Sequence, residues 1–196
     1  MPIFKAVFFD FDGVIGKTME DNYQAWKRAF SKYHINIDKN EYFLLEGMNT
    51  KKVAEYFLEK NSNNIEIAHE IACIKDTYYI ENNRFCFYDG VEYLIPKLKE
   101  KGYLLGIVSG ANHIRLSKIL NDEFLRKIDV VITGDKVENC KPHPEPYLNA
   151  AKALSISPTE CIVVENAPMG IESAKRAGMF CIAICSTLEI FSEELY

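Results

Sequence analysis

The stretch Lys5-Ala6-Val7-Phe8-Phe9-Asp10-Phe11-Asp12-Gly13-Val14 decides how the rest of this 196-residue chain is read. Residues 5–9 are apolar almost throughout, as in a strand buried on both faces of a parallel sheet. Two carboxylates one residue apart follow, then a glycine. In open α/β sheets ligands bind beyond the carboxyl ends of the strands, so Asp10 and Asp12 sit where chemistry is expected. Such a pair can divide its roles, one acid as nucleophile or metal ligand and the other as acid/base. Alone, the pair reads equally well as solvated turn or helix-cap residues. The decision falls to the other strands.

Working outward, four more short apolar runs, at 104–109, 128–133, 161–164 and 180–184, alternate with helical patterns. That alternation predicts an α/β fold with a mainly parallel, Rossmann-like sheet. Val91, Leu94, Ile95 and Leu98 repeat at i, i+3, i+4 and i+7, the spacing of an amphipathic helix. Pro168 suits a first helical turn and Gly178 a helix end, which predicts a helix over 168–177. Residues 17–83 break the alternation. Tyr23, Trp26, Phe30 and Tyr33 share a helical face, and helical patterns follow at 53–60 and 65–80. A block this long is an insertion, not a crossover helix. The expected organisation is a core of residues 1–16 and 84–196 carrying an all-helical cap, 17–83, with the two chain crossings as a hinge.

Each of three later strands also ends in polar residues suited to one kind of chemistry. Ser109-Gly110 offers a hydroxyl and a backbone N–H to phosphate oxygens. Lys141 is followed by Pro142-His143-Pro144, whose prolines stiffen the loop that carries it. Glu165-Asn166 supplies hard oxygen ligands of the kind Mg²⁺ prefers. Singly these are a turn, a surface charge and a helix cap; four such features in order, each just past a strand, favour a functional site.

Composition sets the outer limits. Hydrophobic residues are 48% and charged residues 26%, ordinary for a globular protein. A net charge of -5 gives no electrostatic footprint for nucleic acid. No apolar run approaches the roughly 20 residues of a membrane span, and Asp10 and Asp12 interrupt any signal-peptide reading. The six cysteines form no CxxC pair, and the four histidines have no metal-ligand spacing. Free thiols in a reducing cytoplasm are expected, with Cys161, Cys181 and Cys185 as small buried hydrophobes.

With those residues in view, 8–14, Ser109, Lys141 and Glu165-Asn166 resemble the four motifs of the haloacid dehalogenase superfamily. Residues 141–147 and 164–171 are similar to its β-phosphoglucomutase-like branch, as are the cap's position and Leu45-Glu46-Gly47-Met48. The resemblance implies that Asp10 attacks phosphorus and forms an aspartyl-phosphate, while Asp12 protonates the leaving oxygen and later activates water. It implies Mg²⁺ held by Asp10, the Asp12 carbonyl and Asn166, with Glu165 direct or through water. Lys141 would balance negative charge, and Ser109 with Gly110 would hold phosphate oxygens. The expected substrate contacts are completed by Thr18, Asn22, Met48, Asn49, Lys51 and Lys52, with Tyr42 and Phe43 as further candidates on the cap. A small phosphorylated metabolite, first of all a sugar phosphate, is the expected substrate. A capped site needs no second chain to close it, so a monomer is expected.

The pattern also departs from its relatives. Asn166 stands where an aspartate is frequent. Lys17 and Asn22 replace an acid and a histidine that serve the hinge and acid/base control in the mutases. Thr50, with Lys51 and Lys52 beside it, takes the place of an arginine that binds a distal phosphate; a lysine would do this less specifically. The chain reaches Tyr196 without a last short apolar strand, which predicts a trimmed sheet edge. These changes favour a phosphatase over a sugar phosphomutase. A response-regulator receiver lacks the helical insertion. Dehalogenation needs neither Asp12 nor Glu165-Asn166. A phosphate-binding protein without turnover has only Asn166 in its favour.

Overall fold

The computed structural model describes residues 4–187. Five parallel strands form one sheet in the order β3-β2-β1-β4-β5, with β1 Ala6–Phe9, β2 Leu104–Val108, β3 Val130–Ile132, β4 Cys161–Glu165 and β5 Phe180–Ala183. The first strand lies at the centre, Val7 pairing with Leu105 on one side and Ile162 on the other. Its side chains divide between two cores. Ala6 and Phe8 join Tyr147, Ala150 and Val163, whereas Val7 and Phe9 join Ile95, Leu105, Ile107 and Leu116. Helices therefore cover both faces, which is why residues 5–9 carry no polar alternation.

Between β1 and β2 come four α-helices before the sheet resumes: α1 Met19–Ser31, α2 Lys39–Leu44, α3 Thr50–Lys60 and α4 Ala68–Asn82, with a 3-10 turn Ile65–Ile67 ahead of α4. They enclose a core of their own, built on Trp26, Phe30, Phe57, Leu58 and Ile71. Asn side chains start α3 and the 3-10 turn, as Asp38 starts α2, each accepting a backbone N–H of the first turn. Helix α4 is unusual in burying Lys75 and Asp76 along with Ile71, Ala72 and Tyr79. The two crossings are tied together: the N–H of Lys17 donates to Cys86 O at 2.9 Å, and that of Tyr88 to Ile15 O at 3.0 Å.

Helix α5, Val91–Glu100, packs against β2. The chain continues through α6 His113–Ile119, α7 Asp122–Leu125, α8 Glu145–Ala153 and α9 Pro168–Arg176. All five expected strands are present, β3 shorter than expected; before it the Asp129 N–H donates to Leu105 O while its carboxylate accepts the Leu105 N–H. Tyr33 lies beyond the end of α1, in the turn that follows. Among the described residues the cysteines are all free; Cys161 is buried and Cys181 half-buried, but Cys185 is exposed, contrary to its expected burial, because the chain leaves the sheet after Ala183. The trimmed edge predicted beyond β5 concerns residues 188–196, which lie outside the described residues. No helix among the described residues is long and apolar enough to cross a membrane.

Candidate active site

The site grows from the end of β1. The Asp10 N–H donates to Val164 O, continuing the ladder one residue past the strand, and the chain then reverses, with Ile15 and Gly16 N–H both donating to Phe11 O. Gly13 adopts φ +87°, and a Cβ there would meet the Asn166 Nδ2 at 2.2 Å, so both conformation and close approach exclude a side chain. That turn brings Asp12 back beside Asp10. Both are buried.

Lys141, 1% exposed, crosses to Asp10 from the loop before α8. Its Nζ donates to Asp10 Oδ1 at 2.7 Å, to Val108 O at 2.9 Å and to Glu165 Oε1 at 2.5 Å. Two carboxylates sharing one ammonium hold Lys141 protonated, well above its usual range, although burial opposes this. Burial in turn raises the Asp10 carboxyl well above 3.8, and Glu165 and Asp12 add to this while Lys141 only partly offsets it. This cluster of acids is short of positive charge.

Asn166 points to what would supply it. Its Nδ2 donates to Thr187 Oγ1 at 2.6 Å, which fixes the amide, and its buried Oδ1 has no donor among the described residues. An orphaned amide oxygen beside a carboxylate suits a hard cation. No group of three or more Asp, Glu, His or Cys side chains among the described residues is arranged to hold a metal. The fit for Mg²⁺ therefore rests on the Asp10 carboxylate, the Asn166 amide and backbone oxygen. Glu165, expected at the metal direct or through water, has other partners among the described residues. Fully buried, it accepts from Lys141 and Tyr147 at Oε1 and from the Asn166 and Ala167 N–H groups at Oε2. All its capacity goes to aiming Lys141 and starting α9.

Asp12 is held by a set only partly visible in sequence. Thr18 Oγ1 and Asn22 Nδ2 donate to its Oδ1 at 2.6 and 2.9 Å. The expected substrate contacts Thr18 and Asn22 thus bond to the acid itself. Arg115 of α6, not foreseen, donates Nη2 to Asp12 Oδ2 and Nη1 to Asn22 Oδ1, both at 2.5 Å, and is 3% exposed. Burial alone would raise the Asp12 carboxyl; Arg115 and Thr18 outweigh it and bring the carboxyl below its usual range. Lys75, also unforeseen, donates to Asn22 Oδ1 at 2.7 Å and pairs with Asp76 at 3.2 Å. Both cations lie against the ring of Tyr79. One signal was available: a lysine and an aspartate on the inward face of α4, where periodicity calls for apolar residues.

A cavity with about 30 Å³ of free space lies between cap and core, with Asp10, Asp12, Gly110, Trp26, Glu46 and Met48 on its walls. Ser109 is not on those walls; its Oγ accepts the Ala111 N–H at 3.1 Å. Asn49 caps α3, and Lys51 and Lys52 reach Glu55 and are not on those walls; Asn49 and Lys51 line an adjoining cleft of about 260 Å³ with Asp76, Gly110 and Asp135. Tyr42 lines the cavity beside Asp10 and Asp12, donating its hydroxyl to Glu46, whereas Phe43 belongs to the cap's own core. The cap loop closes on glycines. A Cβ on Gly110 would meet Met48 O at 2.5 Å, and one on Gly134 would meet Gly110 O at 2.3 Å.

Comparison with known proteins agrees with this geometry. The family model described as haloacid dehalogenase-like hydrolase matches residues 7–184. Validoxylamine A 7'-phosphate phosphatase of Streptomyces hygroscopicus subsp. limoneus is 31% identical over 94% of this chain and 87% of its own. Fructose-1-phosphate phosphatase of Escherichia coli is 28% identical over 90% and 94%. The crystal structure of β-phosphoglucomutase from Clostridium difficile superposes with a TM-score of 0.82 at 26% identity, covering 98% of this chain and 96% of that one. The chain belongs to the haloacid dehalogenase-like hydrolases, in their β-phosphoglucomutase-like branch.

Proposed function

We propose that this hydrolase is a magnesium-dependent phosphatase that removes phosphate from a small phosphomonoester through an aspartyl-phosphate on Asp10. The observation that carries the reading is Asp10 at the end of the central strand, gripped by a fully buried lysine, with a buried amide oxygen that has no donor among the described residues just past the end of the neighbouring strand β4. Asp10, Asn166 and the Asp12 carbonyl would hold Mg²⁺, which when bound supplies the charge that offsets repulsion between a carboxylate nucleophile and a phosphate dianion.

The chain's own groups do the rest. Lys141 keeps Asp10 aimed and balances the charge of the transferred phosphoryl group. The Gly110 N–H and the Ser109 hydroxyl are assigned its non-bridging oxygens. Asp12, held in reach by Thr18, Asn22 and Arg115, is assigned to give a proton to the departing oxygen once the phosphate dianion beside it has raised its carboxyl. It then takes one from the water that attacks the aspartyl-phosphate. Relatives named for a validoxylamine phosphate and for fructose 1-phosphate support a sugar-like substrate. Action as a monomer in the cytoplasm belongs to the same reading, since the cap comes from the same chain.

A sugar phosphomutase is the rival, favoured by the likeness to β-phosphoglucomutase. Against it, Thr50 stands where the mutase carries its arginine, and Lys51 and Lys52 are paired with Glu55 and absent from the walls around Asp10 and Asp12. The test is phosphate release from p-nitrophenyl phosphate and a panel of sugar phosphates, with Mg²⁺ or EDTA, by wild type and Asp10→Asn. Metal-dependent release abolished in Asp10→Asn is expected. No release from any compound by folded, Mg²⁺-loaded wild type would sink the phosphatase reading.

A further inference from the structure

The cavity's charges leave one group without a counterpart. Each buried cation on or beside it is already committed to a buried carboxylate: Lys141 to Asp10 and Glu165, Arg115 to Asp12, Lys75 to Asp76. A second phosphate or a carboxylate held within these walls would have to draw one of them away and leave a buried acid unpaired, which is costly. Glu46 is the opposite case. It is buried and lines the cavity, yet no ion pair reaches it among the described residues, where its single donor is the Tyr42 hydroxyl. Burial, reinforced by the Asp12 charge, pushes its carboxyl up to about 7. A carboxyl kept in such a place without a cation needs hydrogen-bond donors from elsewhere.

The loop fixes where Glu46 stands. Gly47, next to it, adopts φ +89°, and a Cβ there would lie 3.1 Å from Lys141 Cδ, so the loop rests on the lysine that grips Asp10. Trp26 and Tyr42 supply aromatic faces on the cap side of the same cavity. A carboxyl that shares a cavity with aromatic faces and with Asp10 and Asp12 suits alternating C–H and O–H groups.

We propose that Glu46 is the specificity-determining residue of this site. It selects phosphomonoesters of neutral polyols, by accepting from hydroxyls near the ester, against esters whose leaving group carries a second phosphate or a carboxylate. This assignment rests on the phosphatase reading.

The test compares wild type with the isosteric Glu46→Gln and with Tyr42→Phe. The substrates are fructose 1-phosphate and glucose 6-phosphate on one side, fructose 1,6-bisphosphate and 3-phosphoglycerate on the other, and p-nitrophenyl phosphate as the reference without hydroxyls. Wild type is expected to prefer the neutral polyol esters in kcat/KM by at least tenfold. In Glu46→Gln the ratio of polyol ester to p-nitrophenyl phosphate should fall tenfold or more, chiefly through KM, while the ratio of anionic to neutral esters rises; Tyr42→Phe, which keeps the carboxylate, should move both ratios less. The same ratios read as dissociation constants on Asp10→Asn need no turnover. Absence of turnover in wild type alone overturns the phosphatase reading. Unchanged ratios in Glu46→Gln, or a wild type that prefers the anionic esters, overturn the role of Glu46.

Discussion

At the scale of single residues, Arg115 shows what charge pairing does in this molecule. A guanidinium 3% exposed is tolerable only because Asp12 and Asn22 accept from it, and its Nε has no partner among the described residues. Replacing it by methionine keeps much of the volume but leaves the Asp12 carboxylate short of its cation. Breaking a buried pair from one side costs about 3–5 kcal/mol. Arg115→Met is therefore expected to unfold at markedly lower urea and to lose turnover. Arg115→Lys should recover part of the stability but less of the turnover, because a point charge cannot bridge Asp12 and Asn22 as the planar fork does. Equal stability of Arg115→Met and wild type would show that the pair contributes nothing. Asp10, Asp12, Lys141 and Asn166 were legible in the sequence because each follows a recognisable strand. Arg115 was not, since a charged residue in a helical segment ordinarily faces water and only packing buries it; Lys75 left only its place on the inward face of α4 as a signal, and Glu46 lay in a quoted cap loop with nothing to show that it is buried.

At the scale of elements, the strands were legible because β1 is apolar throughout and its central position forces that pattern. The short helices α2, α6 and α7, of six, seven and four residues, have too few turns for a period to show. The start of α9 shows packing overruling propensity. Glycine inside a helix ordinarily costs about 1 kcal/mol against alanine, so Gly170→Ala would be expected to stabilise. Here the new Cβ would stand 1.7 Å from Glu165 Oε1 and 2.0 Å from its Cδ. The carboxylate would have to move, breaking its bonds to Lys141 and Tyr147 together. Gly170→Ala is therefore expected to destabilise by roughly 2–4 kcal/mol, as overpacking adds to lost hydrogen bonds, read as a lower urea midpoint at unchanged m. A higher midpoint would mean that Glu165 is free to move and does not fix Lys141.

At the scale of the whole molecule, closure and access oppose each other. With the cap loop seated on Gly110 and Gly134, about 30 Å³ is free beside Asp10 and Asp12, room for one or two waters and not for a phosphorylated sugar, while a wider cleft of about 260 Å³ adjoins it between Lys51 and Asp76 of the cap and Asn112 and Asp135 of the core. Substrate entry thus requires the cap to move, and the cap's separate hydrophobic core lets it do so without exposing much of its interior. Motion concentrates strain at the crossings, where Lys17 bonds to Cys86, Tyr88 to Ile15, and the Arg84 N–H to Asp21 at 2.7 Å. Trypsin reports on this, because Arg84 is exposed but its backbone is tied while the cap is shut. When opening and closing outpace cleavage, the cutting rate follows the population of the open form. Phosphate and Mg²⁺ together would bridge groups on both sides of the cavity and draw the equilibrium toward closure. Cleavage after Arg84, followed by mass spectrometry, is expected to slow several-fold with both present and little with either alone. If the rate stays constant while a raised Tm shows that both have bound, the cap does not open at these crossings, and substrate must enter by a different movement.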